Sequence, residues 1–313
     1  MTLGVLVKNF NTAVLLIGFG GPASPQGLEP FLKSVLEGRN IPDARLAEVR
    51  RHYAALGGRS PYNAHVERFR ELLEACLNGQ GVSVPVLVGF RHSIPSLGDL
   101  CLSLGKLGIR SAAAFVLSSF RSQASFERYR AAFEEERKKV AGKTEIVYTR
   151  PFYSHPLFVE SQANRIREKI PSIPEPERNE TFFIYSAHSI PSAMARESRY
   201  TEEFEEHASR VSQKLGIIKG WSAAYQSRSG DPRDPWLGPD VLEAIRGIDK
   251  THFKNVLLVP SGFLCDNAEV VYDLDIEAKS LAEGLGLNYT RAATVLDEPL
   301  FMQMVVELIR REL

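Results

Sequence analysis

Cysteine is scarce in this chain: the 313 residues include only Cys76, Cys101 and Cys265. These three lie far apart, so they form neither the paired spacing of a disulfide framework nor a CxxC metal knuckle. A small domain held together by disulfides and a zinc-ribbon protein are therefore excluded. We expect reduced thiols and, with them, a cytoplasmic location.

Long hydrophobic runs and an excess of one charge are absent as well. No apolar run approaches the roughly 20 residues that cross a bilayer, and no secretory core is followed by a small-residue cleavage site. Lys plus Arg and Asp plus Glu both number 38, which gives a net charge of zero. The sequence therefore predicts no transmembrane segment and no nucleic-acid partner.

Nucleotide-binding signatures are also missing. Neither GxGxxG opening a helix nor the phosphate-binding pattern GxxxxGK followed by Ser or Thr occurs. The loop from Gly18 to Pro22 is glycine-rich, but the proline and the absent third glycine spoil a dinucleotide fingerprint. Nucleotide chemistry is therefore not predicted.

What the chain does contain is an alternation of apolar and amphipathic segments. Apolar runs typical of buried parallel strands lie at 13–19, 84–90, 112–117, 145–149, 181–186, 220–225, 255–259 and 287–293. Helical patterns include 64–77, 125–140, 200–215, 278–284 and 299–313. With 44% hydrophobic residues available for a core, the pattern predicts an α/β protein with parallel sheets.

Internal matches indicate that the chain is a duplication. The segment from Val116 to Tyr129 has the same length as that from Val259 to Tyr272, and both begin with a valine two residues before a serine. Other weak matches follow in the same order along the chain. We therefore predict two similar α/β halves facing one cleft, with the boundary at or just before the polar stretch 171–180.

One predicted strand runs directly into a histidine. The apolar run from Thr181 is followed by Ser186-Ala-His-Ser-Ile-Pro191, which we interpret as the loop at the carboxyl end of the strand. Ligands bind at such ends in open α/β sheets. His188 could alternatively be a buried histidine with only structural hydrogen bonds, but its place in a loop favours function.

A carboxylate-rich segment follows another predicted strand and contains Asp266, Glu269, Asp273, Asp275 and Glu277. Glu269, Asp273 and Glu277 are four residues apart, so on a helix they share a face, where like charges repel unless cations or protons intervene. Stabilisation by a helix N-terminus would explain the first two acidic residues but not a stripe that reaches Glu277. If this segment faces His188, histidine and carboxylate form a pair that can hold a divalent metal or move protons.

Two proline-containing turns precede predicted helices. Asp234-Pro-Trp-Leu-Gly-Pro-Asp240 is rigid, and Asp240 is placed to begin a helix. Gly57-Gly-Arg-Ser-Pro61 is a second entry into a helix, with Ser60 as the capping residue.

Together these segments resemble ferrochelatase, the family that inserts ferrous iron into a porphyrin late in haem synthesis. The resemblance covers nearly the whole chain and rests on Gly20-Gly-Pro22, Gly57-Gly-Arg-Ser-Pro61, Ser186-Ala-His-Ser-Ile-Pro191, Gln226-Ser227, Pro235-Trp-Leu-Gly-Pro239 and the acidic run. It implies two similar Rossmann-type domains, each a parallel four-stranded sheet flanked by helices, with the active-site cleft between them. We place these domains at 1–168 and 169–295, with a helix in 296–313 that packs back on the first.

The resemblance also assigns roles. It implies that His188 and Glu269 are the catalytic pair and bind the incoming metal, and that Asp273 and Glu277 continue a path for metal or protons. It further implies that the porphyrin-binding residues are Phe19, Tyr53, Ser60, Tyr129 and Trp236.

Several positions depart from the family pattern, among them Tyr225, where a tryptophan is usual, and the region of Arg39, where the residues expected to contact propionates match only in part. Many Gram-positive relatives have a tyrosine at position 19, whereas Phe19 has no donor atom. A histidine is usual at position 267, and Asn267 cannot titrate, which puts a proton relay there in doubt. Some relatives hold an iron–sulfur cluster on closely spaced cysteines near the C-terminus, but no cysteine follows Cys265. We expect no cluster and no permanently bound cofactor, with Fe²⁺ as a substrate.

The choice of porphyrin is a narrower question. Residues 36–51, which correspond to an apolar lip in membrane-associated relatives, are charged here and resemble actinobacterial-type sequences. This favours coproporphyrin III over protoporphyrin IX, although Phe19 counts against it. The predicted protein is a monomeric lyase whose partners are the porphyrin and Fe²⁺.

Two alternatives stay open. One is cobalt insertion into a corrin precursor, which usually needs more than one histidine at the site. The other is a tetrapyrrole- or metal-binding protein without turnover, which Phe19 and Asn267 allow.

Overall fold

Two parallel sheets organise the chain. The structure is a computed structural model that describes residues 10–37, 43–140, 143–229 and 234–313. In this part of the chain, the first sheet has the order β2-β1-β3-β4 and the second the order β6-β5-β7-β8. The strands are β1 (Thr12–Gly18), β2 (Val86–Phe90), β3 (Ser111–Val116), β4 (Glu145–Tyr148), β5 (Thr181–His188), β6 (Trp221–Gln226), β7 (Asn255–Val259) and β8 (Asn288–Arg291). The shared strand order confirms the predicted α/β class with two similar four-stranded sheets.

Helices connect the strands and cover both sheets. In the described ranges they are α1 (Leu28–Leu36), α2 (Asp43–Ala55), α3 (Tyr62–Gly79), α4 (Leu97–Leu107), α5 (Phe126–Lys139), α6 (Pro156–Arg167), α7 (Ser192–Arg196), α8 (Tyr200–Lys214), α9 (Val241–Arg246), α10 (Lys279–Gly284) and α11 (Pro299–Arg310). A π-helix, Val270–Ala278, leads directly into α10. We call the chain through α6 the N-terminal half and the chain from β5 onward the C-terminal half.

The alternation of side chains along each strand builds the core. Successive strand residues point to opposite faces of a sheet, so Leu16 and Tyr185 reach a core that both sheets share. Leu15 points to the opposite face of the first sheet, under α4 and α5. Ile184 does the same in the second sheet, under α9 and the π-helix. Because the inner faces of the two sheets share one core, the halves are packed as a unit.

Helix α11 packs against elements of the N-terminal half. The ring of Phe301 lies 6.1 Å from Phe69, 5.9 Å from Phe158 and 6.4 Å from Phe115, measured between ring centroids. Glu298 begins the helix by accepting hydrogen bonds from the Leu300 and Phe301 amides at 2.7 and 3.0 Å. The division of the chain at residues 168 and 295 stays a prediction.

The helix after β7 differs from the sequence expectation. A helix was predicted over 278–284, but helical structure begins ten residues earlier, at Ala268, and passes through the π-helix before α10. The wider π turn has no sequence period that distinguishes it from an ordinary helix, and such turns frequently occur at functional sites. Within the described ranges, no helix is both long and apolar enough to cross a bilayer.

Candidate active site

His188 is the last residue of strand β5. The sequence predicted a loop from Ser186, but the ladder continues and pairs His188 with Gln226 of β6. The expected start of the loop was therefore wrong by three residues. Ser186 and Ala187 are small and fully buried, so they fit between neighbouring strands. The histidine nevertheless lies at the carboxyl end of the sheet, where ligand sites of open α/β sheets are found.

The next peptide orients the His188 ring. Nδ1 lies within hydrogen-bond distance of the Ser189 carbonyl oxygen. Because a carbonyl only accepts, Nδ1 carries a proton and donates it to this bond. Nε2 is therefore the ring atom that can take up a proton or bind a metal.

Glu269 lies opposite that atom. Nε2 of His188 and Oε1 of Glu269 are 3.6 Å apart, and their side chains are 30% and 46% exposed. Burial lowers the pKa of His188, but the Glu269 carboxylate, the Ser189 carbonyl and the charge of Asp273 outweigh it, so the pKa is raised overall. A neutral Nε2 would present its lone pair to a carboxylate, which is favourable only with a proton or cation between them. The pair can therefore share a proton or bind a divalent ion.

A glycine allows the second loop to approach the histidine strand. The Gly262 amide donates to the Ser186 carbonyl at 2.9 Å. A Cβ at this position would come within 2.7 Å of Ala187, too close for any other residue unless the strand moved. The loop after β7 therefore lies directly against the residue that precedes His188, and Glu269 follows in the next turn.

Asn267 begins the helical turn that carries Glu269. Its Oδ1 accepts the Val270 amide hydrogen at 2.8 Å, which is N-cap geometry. The amide therefore has a structural role at a position where the family resemblance implied a histidine. The turn is held in place without a titratable side chain.

The acidic run separates into two groups with different partners. Arg291, the last residue of β8, binds Asp266 through both Nη atoms at 3.1 and 3.0 Å. The same guanidinium binds Asp275 through Nε and Nη2 at 2.7 and 2.9 Å. Asp266 is therefore paired with a cation at the end of β8. Stabilisation by a helix N-terminus, which the sequence offered as an explanation for Asp266, does not include this partner.

Asp273 belongs to the other group and lies beside the His188 strand. It accepts hydrogen bonds from Ser227 Oγ and, at 3.3 Å, from Gln226 Nε2. Burial raises the pKa of Asp273 to about 7; the charges of Glu269 and Glu277 add to the rise, while the two hydrogen bonds oppose it. The carboxyl therefore changes its charge near neutral pH, which suits a group that passes protons.

Gln226 and Ser227 were predicted only as part of a family motif. The structure shows that both side chains donate hydrogen bonds to Asp273. Gln226 accepts a hydrogen bond from Ser186 Oγ at 2.9 Å and donates to Asp273. Ser227 has a φ of 60°, a left-handed conformation that costs a residue with a side chain about 1 kcal/mol. Their position at the end of the strand next to β5 is the signal that could have identified them.

Helix α2 bridges the two halves over the acidic group. The rings of His52 and Tyr272 are stacked, with centroids 3.8 Å apart and 13° between their planes. Arg45 Nη2 donates to the Arg228 carbonyl at 2.5 Å. Burial raises the pKa of Glu277, the charge of Glu48 on α2 raises it further, and Arg45 opposes the rise. Glu277 therefore lies within the electrostatic reach of α2, which contains residues 43–51 of the predicted charged lip. Residues 38–42 of that lip, including Arg39, lie outside the described residues.

Aromatic rings of the N-terminal half form a contiguous wall. Phe31 links Phe19, at a centroid distance of 6.1 Å, to Tyr53, at 5.9 Å. Phe19 also lies 6.2 Å from Tyr129. Burial raises the pKa of both tyrosines, and the negative charge of Glu269 raises both further. Both phenols therefore lie within the electrostatic reach of Glu269; Phe31, which contacts Phe19 and Tyr53, was not predicted from the sequence.

Ser60 and Trp236 are placed differently from the aromatic wall. Ser60 is buried, and its Oγ accepts the Tyr62 amide hydrogen at 3.3 Å, but the N-cap position of α3 is Pro61, so the predicted cap was one residue too early. Trp236 forms an antiparallel bridge with Pro191. Ser189 Oγ donates to the Leu237 carbonyl at 2.8 Å. The Pro-Trp-Leu-Gly-Pro segment therefore supports the loop that follows His188, and the two most specific sequence signatures touch each other.

Asp240 confirms the predicted helix start. Its Oδ1 accepts the Leu242 amide hydrogen at 2.8 Å, and Glu243 Oε2 accepts the Asp240 amide hydrogen at 2.9 Å. This reciprocal arrangement is a capping box.

Two protein ligands are all that the pair offers to a metal. In the described part of the chain, no group of three or more His, Cys, Asp or Glu side chains is placed to hold an ion. Most positions around an ion on His188 and Glu269 would therefore be open to water or to another ligand. Such a site suits a metal ion that is bound only transiently.

Comparisons with known proteins agree with this geometry. The ferrochelatase family model matches residues 11–313. A coproporphyrin III ferrochelatase of Mycolicibacterium smegmatis is 35% identical, over 95% of this chain and 88% of that protein. One of Frankia alni is 37% identical, over 95% of this chain and 79% of that protein. The solved structure of SirB from Bacillus subtilis with Fe³⁺ has the same fold, with a TM-score of 0.62 and 13% identity over 97% of this chain and 96% of that chain. The chain belongs to the ferrochelatase family.

Proposed function

We propose that this protein inserts Fe²⁺ into coproporphyrin III in haem biosynthesis, as a lyase of the cytoplasm without a permanently bound cofactor. Membership of the family supports metal insertion into a porphyrin, and the names of the similar relatives support coproporphyrin III. One observation carries the proposal: His188 and Glu269 stand 3.6 Å apart, with two phenols of the aromatic wall within the electrostatic reach of Glu269.

The reaction needs a base and a metal ligand on one side of the macrocycle. A free-base porphyrin has two pyrrole N–H protons that must leave as the metal enters. In the proposal, Nε2 of His188 accepts a proton, because Nδ1 is committed to the Ser189 carbonyl. Unprotonated Nε2 and Glu269 first hold the incoming ion and replace part of its water shell; once the ion passes to the macrocycle, Nε2 takes one pyrrole proton and Asp273 takes the other.

The aromatic wall supplies the other side. Phe19, Tyr53 and Tyr129 offer flat apolar surface to a macrocycle, as the walls of ligand pockets do. We assign Ser60 and Trp236 to holding the backbone around this surface, since Ser60 binds the first amide of α3 and Trp236 bridges to Pro191. Phe19 has no donor atom, so the metal ligands in this proposal come from the C-terminal half.

The charged helix α2 supports the choice of porphyrin. Coproporphyrin III carries more propionates than protoporphyrin IX, and a charged lip tolerates such a substrate better than an apolar one. Arg45, Arg50 and Arg51 all lie on α2. The helix also reaches the C-terminal half through His52 and Tyr272, so it lies near the edge of any ligand between the halves.

An anaerobic metallation assay tests the proposal. The purified protein is given Fe²⁺ with coproporphyrin III or with protoporphyrin IX, and the loss of free-base porphyrin fluorescence is followed. We expect turnover with both and a clearly higher kcat/KM with coproporphyrin III. Equal values would remove the substrate preference, and tight porphyrin binding without metallation would mean a carrier protein.

Asp273 should control how the rate depends on pH. Its pKa of about 7 means that the carboxyl is mainly neutral at pH 6 and mainly charged at pH 8. In the wild type, the rate should rise through this interval as Asp273 becomes able to take up protons. Asp273→Asn should match the wild type at pH 6, where both side chains are neutral, and fall about tenfold below it at pH 8.

The matched control for this variant is Glu283→Gln on α10, which removes one carboxylate charge from an exposed position in the same part of the chain. It should leave the pH profile unchanged. Parallel profiles of Asp273→Asn and wild type between pH 6 and 8 would show that Asp273 takes no part in the reaction.

A further inference from the structure

Helix α8 has a face of buried polar side chains. Tyr200, Glu203 and His207 are 5%, 4% and 0% exposed. Spacings of three and four residues put all three on one side of the helix. A buried polar face needs hydrogen-bond partners, and these side chains find them outside the helix.

Each of the three binds the backbone of a different segment. The Tyr200 hydroxyl donates to the His188 carbonyl at 2.8 Å. Glu203 Oε2 accepts the Arg121 amide hydrogen at 2.9 Å. His207 Nδ1 lies 2.7 Å from the Tyr153 carbonyl, to which it donates. The first of these segments belongs to the C-terminal half and the other two to the N-terminal half.

The loop that contains Arg121 docks onto α8 over more than two turns. Phe120, next to Arg121, is buried, and its ring centroid lies 6.1 Å from that of Tyr200, 5.5 Å from Phe204 and 5.7 Å from His207. The contact joins the end of β3, through residues 117–125, to the C-terminal half. The Glu203 hydrogen bond is the polar part of this docking.

The Arg121 side chain contacts the first turn of α5, the helix that carries Tyr129 of the aromatic wall. Its Nη2 donates to Glu127 Oε1 at 2.7 Å, and its guanidinium lies 5.1 Å from the centroid of the Phe126 ring. Phe126 and Glu127 form the first turn of α5, which carries Tyr129. Glu203 is thus connected through Arg121 to the first turn of α5, two residues before Tyr129.

We propose that α8 sets the spacing of the two walls of the active site, with Glu203 as the positioning residue for Tyr129 and Tyr200 as the positioning residue for His188. This inference rests on the proposed function, because the walls hold a porphyrin. An apolar residue would fill the position of Glu203 at lower desolvation cost. The carboxylate instead satisfies a specific amide of the opposite half, which fixes the docked loop in one position.

Substitutions at two positions of α8 should affect different kinetic constants. Glu203→Ala removes the acceptor of the Arg121 amide, and we expect the porphyrin KM to rise about tenfold with kcat within about twofold. Glu203→Gln retains a carbonyl oxygen and should restore KM to within about twofold of the wild type. Tyr200→Phe acts on the His188 side, so kcat per porphyrin-binding site, counted by fluorescence titration, should fall about fivefold while KM stays unchanged; a mere loss of folded enzyme would leave kcat per binding site unchanged.

Glu202→Ala is the matched control, since Glu202 precedes Glu203 in the same helical turn but is exposed. It should change neither constant. Arg121→Ala breaks the link to α5 from an exposed side chain and should also raise KM, so the test does not depend on the folding of Glu203→Ala alone.

A purely structural role for α8 predicts a different result. Lost stability reduces the fraction of active enzyme, which lowers kcat and leaves KM unchanged for every variant. An unchanged KM in both Glu203→Ala and Arg121→Ala would therefore overturn the proposal. If the wild type does not metallate either porphyrin, the proposed function fails separately. The inference is then decided by porphyrin fluorescence titration, in which Glu203→Ala should raise Kd about tenfold and an unchanged Kd would overturn it.

Discussion

Replacing His188 with alanine should lower the rate of Fe²⁺ insertion about 1,000-fold while porphyrin affinity changes by less than about threefold. The substitution removes the only ring nitrogen that faces Glu269, since the other nitrogen is committed to the Ser189 carbonyl. The aromatic wall that contributes most of the proposed contact area belongs to the other half and is not altered. Anaerobic stopped-flow metallation and porphyrin fluorescence titration measure the two quantities separately.

His252→Ala is the matched control for this experiment. His252 is an exposed histidine that precedes β7, so it lies toward the amino ends of the strands and away from the site. It should metallate porphyrin at the wild-type rate. A His188→Ala variant as fast as His252→Ala would show that the assigned base is wrong.

The strands could be predicted because each one is a local pattern. Buried parallel strands are continuous apolar runs, and β7 was predicted with the boundaries that the structure has, while β1 and β3 shift by one residue at each end. The similarity of the two halves also followed from internal matches in the sequence. Strand β5 was predicted two residues too short because the polar His188 was placed in the following loop, and only the pairing with β6 shows that the ladder continues.

The central pair of the site could be predicted for a similar reason. His188 and Glu269 each follow a recognisable strand, and the carboxyl ends of parallel strands meet at one edge of a sheet. The partners of the other acidic residues could not be predicted, because they depend on tertiary contacts. Arg291 lies 25 residues from Asp266 in the sequence, and nothing local in either segment indicates that they pair.

The same limit applies to the elements that hold the site. Ser227 reaches Asp273 only because its backbone is left-handed, and Tyr200 reaches His188 only because α8 packs under the strand end. The contact between α2 and the π-helix joins residues more than 200 positions apart. Sequence patterns identify the elements, whereas the distances between their side chains come from packing.

Arg291→Ala should destabilise the protein by about 3 kcal/mol, a large effect for one side chain. Arg291 is only 13% exposed, and its pKa is raised: burial opposes the charge, but the hydrogen bonds and charges of Asp275 and Asp266 outweigh it. Removing the guanidinium leaves two partly buried carboxylates without their common cation, which costs more than the pair contributes when intact. Unfolding in urea, followed by circular dichroism, gives the change in the free energy of unfolding.

Lys254→Ala is the appropriate comparison, because it breaks the exposed pair with Glu180 at the amino-terminal end of β7. Exposed pairs contribute about 0–1 kcal/mol, so this variant should stay close to the wild type. Arg291→Lys should recover only part of the loss, since one ammonium cannot bind both carboxylates with the paired geometry of a guanidinium. If Arg291→Ala lost no more stability than Lys254→Ala, the contacts of Arg291 with Asp266 and Asp275 would contribute no more than an ordinary surface ion pair. A loss of about 3 kcal/mol would instead show that Arg291 fixes the segment from Asp266 to Asp275, and with it the positions of Glu269 and Asp273 opposite His188.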